Sequence, residues 1–280
     1  MRDFGRPSPA AAIEPPLRSP AGATSAGYRA DGGATGWCVL RAATVTGVGH
    51  RLAGEGNQDY YAWADAGARL ALAVADGLGS VPGSDCAAHL AAGAAVAAAC
   101  DACGTPLDAA LAGVACAEAG LRGVEAAQGA TTLIVGVAEP GREIALARVG
   151  DSTAFIVTPG AQQESESWRE VFPPPSGDED LVTVATGALT ATMDSPPASI
   201  ESVEVELLDG EVLVVVSDGV AVPWRDGPST VAPAMAEGIL ARPSPLQLAG
   251  LADFSRQGCH DDRTILALWL ARDGSPPADE

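Results

Sequence analysis

The sequence is short of aromatic rings, of basic side chains and of long apolar runs, and each shortage narrows what the chain can be. Aromatics are 4% of its 280 residues, so a core has to be filled mainly by Ala, Val and Leu. Hydrophobic residues still reach 47%, enough for one large core in a chain whose length does not require two. Sixteen Lys and Arg face 36 Asp and Glu, a formal charge of −20. So acidic a chain cannot replace the counterions of phosphate, which excludes nucleic acid and anionic membrane as partners. The first 35 residues lack the apolar core of a signal peptide. The most apolar stretch, Cys86 to Cys100, is mostly Ala, carries His89 and Gly93, and is too short and weakly apolar to span a bilayer. These absences predict a cytoplasmic protein. Six cysteines occur without a framework spacing, and the C-x-x-C at Cys100 and Cys103 has no second pair to complete a zinc site. Buried, reduced thiols are expected.

What is present reads as one domain between two tails. Residues 1–35, with Pro7, Pro9, Pro15, Pro16 and Pro20, form a Pro/Ala-rich tail, and residues 273–280 a second, leaving a domain over 36–272. Strands are expected at Trp37–Thr46, Tyr60–Trp63, Leu70–Ala75, Thr131–Ala138, Glu143–Val149, Thr153–Thr158 and Thr264–Leu270. Val203–Leu207 and Glu211–Ser217 flank Asp209-Gly210, a hairpin signal. Helices are expected at Ser84–Ala102, capped by Ser84 or Asp85, and at Pro106–Val124, capped by Thr105. Two more are expected near Ser229–Ala241 and Ser244–Gln257, while 159–200 reads as a long irregular segment. Strands in hairpin-like runs, separated by helix pairs, predict an α+β fold with antiparallel sheets.

Four segments carry acids where solubility does not need them. Leu72-Ala-Val-Ala-Asp76-Gly77 and Val212-Leu-Val-Val-Val-Ser217-Asp218-Gly219 are apolar strands that end in Asp-Gly. Asp151 stands between two strands, and Asp261-Asp262 opens the last one. A carboxylate at the mouth of a buried strand is costly to desolvate unless a positive charge balances it. Basic side chains are too few for that, whereas Mg²⁺ and Mn²⁺ favour such clustered oxygens. A single Asp-Gly is usually a turn, and Asp65 and Asp209 are read that way. Four at strand ends, with Asn57-Gln58-Asp59 upstream, point to a metal.

In order and spacing, six segments resemble the PP2C (PPM) family of metal-dependent serine/threonine protein phosphatases, closest to a bacterial subgroup. They are Gly56-Asn57-Gln58-Asp59, Val74-Ala75-Asp76-Gly77-Leu78-Gly79-Ser80, Gly129-Ala130-Thr131-Thr132, Val149-Gly150-Asp151-Ser152, Val216-Ser217-Asp218-Gly219 and Asp261-Asp262-Arg263-Thr264. The resemblance implies an αββα sandwich, two central antiparallel sheets flanked by helix pairs. It implies two Mg²⁺ or Mn²⁺ ions, with a third in some relatives, and hydrolysis of phosphoserine or phosphothreonine by a hydroxide bridging the ions. Asp76 would bridge them with the Gly77 carbonyl, and Asp218 and Asp261 would complete the first site. Gln58 stands where the family has a metal-binding Glu, Asp59 would hold the attacking water, and Asp151 would help with the third ion. Asp59 and Asp76 are thus the candidate catalytic acids, while Asp262 is assigned a hydrogen-bonding role. The Arg that grips phosphate in many relatives falls at Gly54, so His50 or Arg51 would have to substitute. The implied partners are phosphoprotein substrates and a cognate bacterial kinase or its targets, with the chain a monomer. Two alternatives stay open: a PP2C-fold pseudophosphatase that acts as a regulatory binding module, and a phosphatase for a small phosphoester.

Overall fold

Along the strand Leu70–Asp76, large and small side chains alternate, and the period of two sorts them onto opposite faces. Leu70, Leu72 and Val74 enter one buried cluster, and Ala71, Ala73 and Ala75 enter another. The computed structural model, which describes residues 27–79, 81–123, 129–141, 143–160, 167–172, 187–190, 198–225, 231–254 and 256–271, repeats this sorting strand after strand.

The strands are β1 (Tyr28–Ala34), β2 (Cys38–Val45), β3 (Asp59–Asp65), β4 (Leu70–Asp76), β5 (Ala130–Thr131), β6 (Leu133–Ala138) and β7 (Glu143–Val149). They continue with β8 (Thr153–Val157), β9 (Trp168–Glu170), β10 (Leu189–Thr190), β11 (Glu201–Glu206), β12 (Val212–Val216) and β13 (Arg263–Leu270). The helices are α1 (Val48–Ala53), α2 (Ser84–Asp101), α3 (Pro106–Gly123), α4 (Asp218–Arg225), α5 (Val231–Leu240) and α6 (Pro245–Ala252). One sheet runs β1-β2-β13-β12-β8-β9 and the other β11-β7-β6-β4-β3, with β10-β5 a short extra pair. Neighbouring strands are antiparallel. The α+β expectation holds.

Leu40, Trp63, Leu72, Leu146, Leu213 and Leu266 fill the layer between the sheets. Each such buried leucine contributes about 1.5–3 kcal/mol. Ala87, Ala91, Ala95 and Val114 lay α2 and α3 on the second sheet, and Trp224, Met235, Ile239 and Leu248 lay α4–α6 on the first. The result is helix, sheet, sheet, helix.

Several elements depart from the sequence expectation. β1 lies inside the stretch read as tail; residues 1–26 and 272–280 are outside the described residues. It carries few large apolar groups and is an edge strand, paired with β2 and held to β3 by contacts of its polar side chains. Arg29 sits 4.5 Å from the Tyr61 ring centroid, and Asp31 accepts the Trp63 indole N–H at 2.8 Å. The glycine-rich loop contains α1, and α2 begins at Gly83 with no side-chain cap, neither Ser84 nor Asp85 serving. Thr105 does cap α3, accepting the Asp108 N–H at 3.1 Å. The Asp209-Gly210 turn joins strands of different sheets, since β11 pairs with β7 and β12 with β8 and β13, so there is no hairpin. Within 159–200, β9 and β10 form, while 161–166, 173–186 and 191–197 lie outside the described residues. None of the six cysteines forms a disulfide, but only Cys38 is fully buried, and Cys86, Cys103 and Cys116 are exposed. No helix among the described residues is long and apolar enough to cross a membrane.

Candidate metal centre

Antiparallel pairing brings the acids to one rim of the sandwich. Asp59, the first residue of β3, is the register partner of Asp76, the last of β4. Val216, at the end of β12, lies opposite Thr153 of β8 and Ile265 of β13. Asp218 follows β12, Asp151 precedes β8, and Asp261 and Asp262 precede β13, so all four emerge at this end.

One part of the rim is sealed by hydrogen bonds. Asp59, buried, accepts the Ser217 hydroxyl at 2.6 Å, and the same hydroxyl oxygen accepts the Thr264 N–H at 2.9 Å. Asn57 donates to Thr44 at 2.8 Å, and Thr264 donates to Thr44 at 2.7 Å, which ties both sheets together beneath the acids. Asp262, also buried, accepts the Gly47 and Gln58 N–H groups at 2.6 Å each and the His50 ring at 2.9 Å. The Asp76 carbonyl accepts the Thr131 hydroxyl at 2.9 Å and the Thr132 N–H at 2.8 Å. Ser217, Thr264, Thr131 and Thr132 all lie inside the motifs, yet the sequence reading gave them no individual role; a hydroxyl beside each acid was the signal.

Two glycines are required by close approach. A Cβ on Gly219 would stand 1.9 Å from the Asp262 carbonyl oxygen. One on Gly77, whose N–H donates to the Gln58 carbonyl at 3.1 Å, would stand 2.8 Å from the Gln58 and Ser84 carbonyls. The chain turns tightly behind Asp76 and Asp218, and α4, which the sequence reading missed, starts at Asp218. Its eight residues include Gly219 and Pro223, both poor helix formers.

The other part of the rim is open. Asp76, Asp151 and Asp218 are half-buried, and Asp261 is exposed. Burial, then the neighbouring Asp59 and Asp218, push the Asp76 carboxyl well above its usual range. Burial, then Asp261 and Asp151, push Asp218 up to about 6. Asp76 and Asp218 each raise the cost of ionising the other acids of the rim. Among the described residues no ion pair engages Asp76, Asp151, Asp218 or Asp261. Asp218 Oδ1 and Gln58 Oε1 are buried without a hydrogen-bond partner. Oxygen donors, surplus negative charge and two orphaned oxygens fit a hard divalent cation.

The two residues expected to grip phosphate are both engaged by the protein's own side chains. Arg51 pairs with Asp253 at 3.2 Å and lines a cavity of about 490 Å³ with Gly27, Tyr28, Val45, Leu246 and Ala249, where no candidate ligand sits. His50 has both ring nitrogens engaged, Nδ1 with Asp262 at 2.9 Å and Nε2 with the Gln58 side-chain nitrogen at 3.3 Å. Burial opposes charge on His50, but the hydrogen bond to Asp262 and the nearby Asp261 and Glu55 outweigh it, a net upward shift. Ligand atoms of His50, Asp261 and Asp262 do lie within 4.8 Å of one another. Asp262 is nevertheless committed to two amides and the ring, as expected, so this corner is a hydrogen-bond junction. His260, by contrast, is exposed, and His89 packs edge-on against Tyr60 at 4.3 Å.

Residues 46–244 match the family model described as protein phosphatase 2C. No curated protein sequence matches the chain. Among solved structures, the chain resembles the PPM Ser-Thr phosphatase MsPP from Mycobacterium smegmatis in complex with cacodylate, at 19% identity and TM-score 0.60, over 83% of this chain and 98% of that one. It also resembles the catalytic domain of the phosphatase PstP in complex with 2 manganese ions, at 20% identity and TM-score 0.58, over 84% and 99%. RsbX in complex with magnesium matches at 13% identity and TM-score 0.57, over 87% and 100%. At such identities these likenesses establish the shared two-sheet architecture. With the family model spanning well over half of the chain, the protein belongs to the protein phosphatase 2C family.

Proposed function

We propose that the chain is a metal-dependent protein phosphatase that hydrolyses phosphoserine and phosphothreonine, acting against a bacterial kinase. The observation that carries this reading is the open half of the rim: Asp76, Asp151, Asp218 and Asp261 converge with no basic side chain paired to them among the described residues, and Asp218 Oδ1 is buried without a partner. When bound, Mg²⁺ or Mn²⁺ supplies a water acidic enough to ionise near neutral pH and offsets the charge of the phosphate. Asp76 and the Gly77 carbonyl would hold two ions together, with Asp218 and Asp261 on the first, Gln58 on the second and Asp151 toward a third. Asp59, fixed through one oxygen by Ser217, would orient the attacking water. The PstP structure with 2 manganese ions and the RsbX structure with magnesium support the choice of ions.

Mn²⁺-dependent hydrolysis of a phosphothreonine peptide tests this. Turnover should be absent in EDTA and restored by Mn²⁺, and Asp218→Ala should lower it by at least about a hundredfold. A wild type inert with every divalent cation overturns the enzyme reading; full activity in Asp218→Ala overturns the site. A second reading, a regulatory binding module on the same fold, draws on His50 and Arg51, which leave the rim without the expected phosphate grip. Under that reading Mn²⁺ binds and no phosphoester turns over.

A further inference from the structure

The sealed and open parts of the rim meet at Gln58, and His50 stands at that junction. Asp262 Oδ2 is 2.9 Å from His50 Nδ1. A carboxylate can only accept, so Nδ1 carries the proton, and in the neutral ring Nε2 is left as an acceptor. The atom facing Nε2, at 3.3 Å, is the Gln58 side-chain nitrogen, a donor. With the ring neutral the amide is set with N–H toward His50 and Oε1 away from it, the arrangement at 3.3 Å; a second proton on Nε2, which Glu55 Oε2 faces at 3.8 Å, would turn it over. Oε1 is the buried acceptor that finds no partner among the protein's own donors. The far end of the relay is equally fixed, because the Gln58 backbone N–H donates to the same Asp262 oxygen at 2.6 Å and the Gly47 N–H holds the other. Gln58 is also anchored to the turn behind Asp76, its carbonyl accepting the Gly77 N–H.

We infer that His50 is a positioning residue that sets the Gln58 amide so that its neutral Oε1 is offered to a divalent cation at the second site. This rests on the metal reading above and deepens it. A carboxylate at position 58 would attract the ion by charge from either of its equivalent oxygens. An amide has one usable oxygen, and turned over it would present N–H donors to a cation. The chain's second ion thus depends on a partner that a carboxylate ligand would not need, as with other outer ligands that orient inner ones.

The test is Mn²⁺ binding by the full chain, read as free Mn²⁺ by electron paramagnetic resonance, which reports number and affinity of sites without turnover. Wild type should show one tight and one weaker class. His50→Ala should weaken the weaker class by about 10–100-fold and leave the tight class unchanged. Gln58→Glu should tighten that class, and adding Gln58→Glu to His50→Ala should restore it, a rescue that a merely structural role for His50 would not give. Gln58→Met, which leaves His50 untouched, should abolish the weaker class alone; thermal melts confirm that each variant is folded. His50→Ala with both classes as in wild type, equal weakening of both classes, or failure of the Gln58→Glu rescue overturns the inference while the metal reading stands. A wild type that binds no Mn²⁺ overturns both.

Discussion

Two halves of one rim carry the same residue type to opposite ends. Asp59 and Asp262 are buried and spoken for, by a hydroxyl in one case and by two amides and an imidazole in the other. Asp76 and Asp218 are less buried and face other acids; their carboxyls are pushed up, as burial and Asp262 also push that of Asp59, but among the described residues no hydrogen-bond donor is spent on Asp218 Oδ1. A sealed acid is part of the fold, because removing it orphans its donors. An open acid opposes the fold in the absence of a counter-charge, and a protein that keeps several has a use for them. Sequence position does not separate the two: Asp261 and Asp262 are neighbours, one exposed and one 1% exposed.

Substitutions on the two halves should therefore move stability in opposite directions. Asp262→Ala leaves two amides and the His50 ring without their acceptor. At about 1–3 kcal/mol for each orphaned group, the loss should reach about 3 kcal/mol or more, a fall in melting temperature of about 10 °C. Calorimetry in EDTA measures it without interference from metal; an unchanged melting temperature would dissolve the distinction. Ser217→Ala should cost less, about 1–3 kcal/mol, since it removes the donor to Asp59 and the acceptor of the Thr264 N–H. Its signature is a stability loss that persists in EDTA, whereas loss of an open acid should act through metal binding.

The layered fold was legible because its signal is local. Alternation of Leu with Ala along β4, and the nearly continuous apolar runs of β12 and β13, are written in the chain. What stayed hidden depends on partners distant in sequence. β1 has little apolar content and is held by Tyr61 and Trp63 of β3. The Asp209-Gly210 turn has the composition of a hairpin, and only the choice of sheet partner denies it. The same division runs through the site. Asp76, Asp218, Asp261 and Gln58 stand out by their place at strand ends, so their grouping could be read. The fate of His50 and Arg51 could not, because neighbours on one short helix, α1, turn to different partners, Asp262 and Asp253, each about two hundred positions away.

The smallest expected effect bears most directly on the open half. Asp218 has a folded-state pKa raised from its ordinary 3.8 to about 6. Between those values the metal-free folded protein keeps a proton that the unfolded chain has released. Proton linkage then makes stability fall as pH rises through this window. Below about 4 both states are protonated and nothing is lost; above about 6 the penalty is complete, and the upward shift of Asp76 adds to it in the same direction. In EDTA the melting temperature should drop between about pH 4 and pH 6. The whole chain is acidic, so part of any such drop is general repulsion. Asp218→Asn isolates the local part: it should flatten the profile and raise the melting temperature at the alkaline end by about 2–4 °C. Mn²⁺ should flatten the wild-type profile in the same way and leave the variant's nearly unmoved, since one counter-charge cannot relieve a repulsion already removed. A variant less stable than wild type at the alkaline end would place Asp218 with Asp59 and Asp262, among the acids that the fold needs.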